Sequence, residues 1–340
     1  MDNCVTTKRK VRFFNTTGPC NPYDHYMLPP AERLIGAQLA RYIRDKLYWV
    51  LHAPRQTGKT TFLQTWAREI NAGSDAVACY VSVEECQGVL ERGEANQIIY
   101  EAICRFANWA KLPVPEIEDG SSDVLVSITL ARWAKLVAPK SLIVLFDEVD
   151  VISGDALISF LRQLRGGFAE REVGKFPISI ALVGMRDLKD YITASKDGKA
   201  VNPGSPFNIK EDSAVIGNFN KTDIQNLFLQ RTEETGQQIT ENALDYVWEQ
   251  SCGQPWLVNS LFKRATMRIL NENDYSTVTI EHIKKVRDDG LKQTAKYRDT
   301  IDSSASSYLV IFDRRSEGKK PGWDDRLTWD IAGDITVVGC

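Results

Sequence analysis

Residues 47–61 read LYWVLHAPRQTGKTT, and the fold is decided by this stretch. An apolar run over residues 47–51 leads into a short loop that carries Gly58, Lys59 and Thr60, and helix-forming residues follow at once. The order strand, loop, helix places backbone N–H groups at a helix N-terminus, where they can bind the phosphates of a nucleotide. In such a loop the lysine contacts the β- and γ-phosphates and the hydroxyl binds Mg²⁺. The pattern therefore predicts a phosphate-binding loop, with Lys59 as the cation and Thr60 as a metal ligand.

The loop departs from the usual GxxxxGK[ST] pattern at its first position, which is Ala53. Alanine can replace glycine where φ is negative, and Pro54 stiffens the turn because its own φ is fixed. The alternative is a Gly-Lys-Thr tripeptide on a surface turn, but the flanking strand and helix favour phosphate binding. We expect the nucleotide contacts of this loop to be Pro54, Arg55, Gln56, Thr57, Gly58, Lys59, Thr60 and Thr61.

A second motif follows a continuous apolar run at residues 141–146, SLIVLF, which is typical of a strand covered on both faces. The run ends abruptly in Asp147 and Glu148. Two carboxylates at this position supply the chemistry that the phosphate loop lacks. Asp147 would bind Mg²⁺, directly or through water, and Glu148 would orient and deprotonate the attacking water. The alternative is a strand that runs out into an acidic turn.

The composition is that of an ordinary soluble globular protein, with 340 residues of which 43% are hydrophobic and 26% charged. This length suggests about two domains. A net charge of −3 does not indicate a nucleic-acid surface over the whole molecule, although a local one is compatible with it. The seven cysteines are scattered without a CxxC pair, which favours reduced thiols. No apolar run reaches the ~18 residues of a membrane span, and the N-terminus lacks a signal peptide's apolar core, so we expect no membrane association and a cytoplasmic location.

Strand-like and helix-like segments alternate between residues 45 and 187, which predicts an α/β fold with a parallel sheet. The ligands of such a sheet bind at the carboxyl ends of its strands. Arg186 follows the strand predicted at residues 177–183, where its guanidinium would sense a γ-phosphate or, alternatively, pair with Asp187 or Asp190. The helices are predicted at residues 31–46, 95–112, 123–137 and 155–165, the last ending at Gly166 and Gly167, and a further strand at 76–81.

Helical periodicity returns after a loop-like stretch at residues 193–213. Asn220 and Thr240 are candidate N-caps, and in the turn CGQPW the pattern predicts that Gly253 ends one helix and Pro255 begins the next. The last forty residues change character, with strands predicted at 308–312 and 335–338.

Five motifs in this order resemble a prokaryotic AAA-like family of P-loop ATP-binding proteins, related to the signal-transduction ATPases with numerous domains (STAND). They are HAPRQTGKTT (52–61), LFDEVD (145–150), LVGMRD (182–187), GNFNKTDI (217–224) and GQPWLVN (253–259). The resemblance covers roughly residues 10–270. It implies a three-layer αβα P-loop NTPase core with Walker A and Walker B motifs, followed by a helical lid in which Gly253 and Pro255 close over the nucleotide. It also supports Arg186 as a sensor.

The resemblance implies four regions: a lead-in at residues 1–30, the ATPase core at 31–200, the lid at 201–272 and a tail at 273–340. The tail resembles the end of PD-(D/E)XK nuclease-like domains. A nuclease would need an Asp on one strand and Glu-x-Lys on the next around Mg²⁺. Asp313 and the EGK of residues 317–319 are the remaining part of that pattern, so we expect a remnant or a docking element.

The expected function is therefore binding of ATP and Mg²⁺ with slow hydrolysis to ADP and phosphate, coupled to movement of the lid. The first alternative is a nucleotide-gated switch with negligible turnover, which would act on a protein partner or on a second copy of the chain. The second is an ATP-dependent nuclease. Within the lid, Pro255 and Trp256 would either cover the nucleotide or only pack the lid's own helices.

Overall fold

The computed structural model describes residues 11–117, 122–173, 175–185, 210–272, 274–301, 307–311, 328–332 and 335–339, with side chains up to residue 290 apart from 210–212. The chain divides into two compact units. The core unit is Pro29–Gly217, and the helical unit combines Met1–Leu28 with Asn218–Cys340.

The core unit is built on a six-stranded sheet with the order β1-β6-β2-β5-β4-β3. Its strands are β1 (Leu34–Ile35), β2 (Tyr48–His52), β3 (Ala76–Ser82), β4 (Ser141–Asp147), β5 (Ser179–Gly184) and β6 (Lys210–Ile216). Every pair is parallel except β1 with β6. Because the parallel strands share one direction, the carboxyl ends of β2, β3, β4 and β5 lie at the same edge of the sheet.

Helices cover both faces of this sheet. They are α1 (Leu39–Arg44), α2 (Lys59–Asn71), α3 (Arg92–Trp109), α4 (Leu125–Val137) and α5 (Gly154–Phe168). On β2, Tyr48 and Val50 pack with α3, α4 and α5, whereas Trp49 and Leu51 pack with α1 and α2. Successive side chains of a strand point to opposite faces, so this alternation demonstrates two separate apolar layers. The predicted three-layer α/β architecture with a mostly parallel sheet is confirmed.

Two local predictions in the core unit were wrong. Residues 31–46 do not form one helix, because Leu34 and Ile35 pair antiparallel with β6 and only Leu39–Arg44 is α-helical. Gly166 and Gly167 do not end α5, which continues to Phe168. A Cβ at Gly167 would collide with the ring of Phe176, so this glycine lets the segment before β5 pack closely on the helix.

The helical unit contains α6 (Lys221–Thr235), α7 (Glu241–Ser251), α8 (Pro255–Arg264), a π-helical turn (Ala265–Ile269) and α9 (Ile280–Ile301). Asn220 caps α6 in a capping box with Asp223, as its sequence position predicts. Thr240 occupies the N-cap position of α7 without a side-chain hydrogen bond. Gly253 lies between α7 and α8, and Pro255 is the first residue of α8, in the predicted order.

The N-terminal segment, residues 11–28, belongs to the helical unit. Phe14 and Tyr26 are fully buried there, and the ring of Phe14 lies 5.8 Å from that of Phe228 and 5.0 Å from that of Phe262. The side-chain amide of Gln230 accepts a hydrogen bond from the backbone N–H of Met27 and donates one to the backbone C=O of Met27. The segment therefore supplies part of this unit's apolar core.

The end of the chain forms a three-stranded sheet in the order β7-β9-β8. Its strands are β7 (Ser307–Ile311), β8 (Thr328–Ala332) and β9 (Ile335–Gly339). The sequence pattern predicts β7 and β9 and misses β8. Asp313 and residues 317–319 lie outside the described residues, so the nuclease-like pattern has no structural description.

The division between the units falls after Gly217, not near residue 200 as the resemblance implied. The reason is β6, which lies within the stretch assigned to the lid but pairs with β2 along Tyr48–His52. In the part of the chain that the structure describes, no helix combines the length and the apolar character needed to cross a membrane.

Candidate functional site

The loop between β2 and α2 has the backbone of a phosphate-binding loop. Gly58 is the N-cap of α2 with φ 95°, a conformation that favours glycine, and its carbonyl accepts the N–H of Phe62 at 2.9 Å. Among the loop's other residues, a positive φ occurs at Gln56 (61°) and not at Ala53. Alanine is therefore compatible with the first position of the loop. The first N–H groups of a helix have no acceptor within the helix itself, so the start of α2 is suited to bind an anion.

The ammonium of Lys59 is held inside this loop. Its Nζ donates to the carbonyls of Ala53 at 2.8 Å and Pro54 at 2.9 Å, and the hydroxyl of Thr57 donates to the same Pro54 carbonyl at 2.9 Å. Burial lowers the pKa of Lys59, while the nearby carboxylates, Asp147 first among them, raise it. A partly desolvated cation between a helix N-terminus and loop carbonyls is suited to bind phosphate oxygens.

The side chain of Thr60 in the phosphate loop contacts the side chain of Asp147 at the end of β4. The hydroxyl of Thr60 donates to Oδ2 of Asp147 at 2.6 Å, and Asp147 is only 1% exposed. Burial raises the pKa of this carboxyl, and the hydrogen bond from Thr60 opposes that shift. A hydroxyl and a carboxylate are the hard oxygen ligands that Mg²⁺ prefers. The donor set therefore fits a magnesium ion, which would bind the deprotonated carboxylate.

Glu148 directly follows β4 and has a left-handed backbone, with φ 62°. Its carboxylate accepts a hydrogen bond from the hydroxyl of Ser82 at 3.0 Å. Burial raises the pKa of Glu148, the Ser82 hydroxyl lowers it, and Asp147 raises it again. A carboxylate whose pKa is raised is a better proton acceptor, as general-base catalysis requires.

The sheet brings these groups to one edge. Ser82 is the register partner of Asp147 between β3 and β4, and His52 is that of Gly184 between β2 and β5. Of the predicted site residues, the structure thus gathers those of the loop with Asp147 and Glu148. Arg186 lies outside the described residues, so its prediction as a sensor stays a prediction.

Gly253 and Pro255 belong to the helical unit, where Pro255 is buried. Gly253 has φ 74°, and a Cβ there would collide with the backbone carbonyl of Phe219. The N–H of Phe219 donates to the carbonyl of Gly253 at 2.8 Å. The indole N–H of Trp256 donates to the carbonyl of Thr16 at 2.8 Å. Gly253 and the indole of Trp256 thus both have contacts within the helical unit. A contact of this turn with the nucleotide stays a prediction.

Sequence reasoning missed three residues of the site. Tyr80 donates to Oδ2 of Asp147 at 3.4 Å, Ser82 donates to Glu148, and Arg33 donates to the carbonyl of Thr57 at 2.9 Å. The position of Ser82 at the end of a predicted strand was a usable signal. Nothing local distinguishes Arg33 from other arginines, because its contact depends on the fold.

A parallel sheet with a phosphate loop after β2 and an acidic end on β4 defines the P-loop NTPase fold. Solved structures share it. The Walker-type ATPase PABY2304 of Pyrococcus abyssi superimposes with a TM-score of 0.54 at 12% identity, over 85% of this chain and 80% of that one. Cdc6p from Pyrobaculum aerophilum gives a TM-score of 0.51 at 17% identity, over 74% of this chain and 64% of that one.

No protein-family profile matches this sequence, and no curated protein matches it either. At identities this low the structural likeness shows the fold alone.

Proposed function

We propose that the chain binds Mg·ATP at the carboxyl edge of the core sheet and hydrolyses it slowly to ADP and phosphate. The observation that carries the proposal is the 2.6 Å hydrogen bond between Thr60 and Asp147, which joins the phosphate loop to the acidic strand end. Thr60 and Asp147 are the residues that would hold Mg²⁺, Asp147 directly or through water. The ion would neutralise charge on the β- and γ-phosphates.

The chain's own groups divide the remaining work. The N–H groups at the start of α2 and the ammonium of Lys59 would bind the phosphates. Glu148 would accept the proton of the attacking water, and the Ser82 hydroxyl would hold its carboxylate in place. The exposed side chains of Arg55 and Gln56 and the backbone of residues 54–61 would surround the phosphates.

The binding half of the proposal is tested with Lys59→Ala and a fluorescent ATP analogue. We expect the wild-type protein to bind the analogue in Mg²⁺ and the variant to lose binding, because the phosphate charge is no longer compensated. Lys140→Ala, which removes an exposed lysine of the same unit, is the matched control and should bind normally. Equal affinity of Lys59→Ala and wild type would remove the phosphate-loop interpretation.

The hydrolytic half is tested with Glu148→Gln, which keeps the size of the side chain and removes the base. Loss of a general base costs about a hundred- to ten-thousand-fold in rate. We expect Glu148→Gln to bind the analogue like wild type and to release phosphate at least about a hundred-fold more slowly. Turnover equal to that of wild type would refute the role of Glu148.

A second candidate is a nucleotide-gated switch with negligible turnover, in which the helical unit acts as a lid in the manner of AAA-like and STAND proteins. It is supported by the turn at Gly253 and Pro255, which joins α7 to α8 as the sequence pattern predicts and which resembles the turn that closes over the nucleotide in STAND proteins. Denaturing the purified protein and identifying the released nucleotide separates the candidates. Retained ADP without steady turnover supports the switch, whereas an empty protein that turns over ATP supports the hydrolase.

The proposal also covers the binding partners of the protein and its location in the cell. We propose a protein partner or a second copy of the chain as binding partner, and a cytoplasmic location as the sequence pattern predicts. The resemblance leaves a role in nucleic-acid cleavage to the C-terminal region. Mg²⁺-dependent DNA cleavage that is abolished by Asp313→Ala would support that third function.

A further inference from the structure

Arg33 joins the phosphate loop to the end of the core unit. It is the last residue of a 3-10 turn, Pro30–Arg33, that leads into β1. Its Nη1 donates to the carbonyl of Thr57 at 2.9 Å and to that of Gly217 at 2.8 Å. Thr57 precedes the loop glycine, and Gly217 is the last residue of the core unit. One side chain therefore connects two segments that are distant in sequence.

The backbone of Arg33 repeats the connection to Gly217. The N–H of Gly217 donates to the Arg33 carbonyl at 2.9 Å, which continues the antiparallel pairing of β1 with β6. Gly217 is thus hydrogen-bonded to Arg33 through both its N–H and its C=O. The backbone of Arg33 is therefore fixed beside Gly217, and the side chain extends from there to the phosphate loop.

The guanidinium also lies against Gly58. A Cβ built on Gly58 would be 2.9 Å from Nη2 of Arg33. The loop glycine is required by its φ of 95°, and a Cβ there would also displace the end of the Arg33 side chain.

The contact with Thr57 determines where the next amide points. A peptide unit is planar and trans, so the C=O of Thr57 and the N–H of Gly58 point in opposite directions. Holding the carbonyl on the Arg33 side directs the N–H of Gly58 to the other side of that peptide plane. We propose that Arg33 is a positioning residue, which orients the Gly58 N–H for phosphate and ties the phosphate loop to Gly217.

This inference rests on the proposed function, because it assigns a role in nucleotide binding to a residue that acts through the backbone of the phosphate loop. It also requires arginine in particular. The planar guanidinium presents several donors in a fixed geometry, whereas the lysine ammonium is a compact point charge on a flexible stem. Nη1 donates to both carbonyls while Nη2 lies against Gly58, so a lysine would keep the charge and lose this placement of two nitrogens beside the loop.

The test compares Arg33→Lys with the control Arg68→Lys. Arg68 lies on α2, is exposed and also donates to a backbone carbonyl, that of Gln64, within its own helix. Hydrogen exchange is measured without nucleotide on peptides covering residues 53–62 and 213–217, and affinity is measured with the fluorescent ATP analogue. Arg33→Gln is the second variant, for use where Arg33→Lys does not fold.

We expect Arg33→Lys to exchange faster in both peptides and to bind the analogue roughly ten-fold or more weakly, as for loss of a charge-assisted hydrogen bond. Arg68→Lys should match wild type in both measurements. Faster exchange at residues 213–217 alone, or unchanged affinity in a folded variant, overturns the inference. Wild-type protein that fails to bind the analogue contradicts the proposed function instead, and the exchange comparison still decides whether Arg33 bridges the two segments.

Discussion

Burial disfavours the ionised carboxylate of Asp147, and a bound metal ion would stabilise it. Its pKa is raised in the folded protein, so its contribution to stability is present below the pKa of the unfolded chain and is lost as pH rises through the folded value. The ionised form of this carboxyl is therefore destabilising until a cation binds. Asparagine keeps the shape: its Oδ1 can accept the N–H of Glu148, as Oδ1 of Asp147 does, and its Nδ2 can donate to the Thr60 hydroxyl.

We accordingly expect Asp147→Asn to unfold at the same temperature as the nucleotide-free wild type or higher. In contrast, the gain in unfolding temperature that Mg·ATP gives over ATP with chelator should disappear in the variant. Thermal unfolding in the four conditions measures both effects. A variant that responds to Mg²⁺ like wild type would contradict the assignment of Asp147 as a metal ligand.

Ser82 tunes the base that we assign to Glu148. Its hydroxyl donates to the carboxylate and lowers the pKa of Glu148 against the effect of burial. Ser82→Ala removes that hydrogen bond, so the pKa of Glu148 should rise and the acid limb of the kcat profile should move to higher pH. Ser74→Ala, which removes a similar serine–carboxylate bond to Asp75 on the surface, is the control. An acid limb at the same pH in both variants would show that Ser82 does not act on the base.

At the scale of elements, the N-terminal segment contributes to the apolar core of the helical unit. Phe14 is fully buried against Tyr26, Phe228 and Phe262. Truncating a buried phenylalanine to alanine costs about 3–5 kcal/mol, because contacts are lost and a cavity remains. We expect Phe14→Ala to lower the free energy of unfolding of the helical unit by this amount.

Hydrogen exchange of α6 and α8 measures the effect, because these helices carry Phe228 and Phe262. Tyr23→Ala is the control, since Tyr23 is an aromatic residue of the same segment with 83% of its surface exposed. Unchanged protection of α6 and α8 in Phe14→Ala would mean that the segment contributes little to the unit.

At the scale of the whole molecule, the resemblance predicts that nucleotide binding couples the helical unit to the core unit. Ligand binding shifts a conformational equilibrium only through different affinities for its states. If the turn at Pro255 covers the nucleotide, Pro255→Ala should weaken binding of the ATP analogue while exchange in α7 and α8 stays normal. Unaltered affinity in the folded variant would leave Gly253 and Pro255 as a structural turn.

The sequence by itself determined those elements that a pattern of neighbouring residues predicts. The strand, loop and helix of residues 47–61 and the apolar run that ends at Asp147 are visible as continuous patterns, and they were enough to predict the α/β sheet and the residues proposed to bind Mg·ATP. The N-cap at Asn220 and the order of Gly253 and Pro255 are local in the same sense. These features depend on neighbours within one turn or strand.

Only the tertiary structure decided what comes together from distant parts of the chain. It placed β6 beside β2 and thereby moved the end of the core unit to Gly217, and it joined residues 11–28 to the helical unit. It also brought Arg33 to Thr57 and Ser82 to Glu148. Strand pairing and side-chain contacts across a sheet are set by packing and hydrogen-bond register between remote segments, and the periodicity of a single segment carries no information about them.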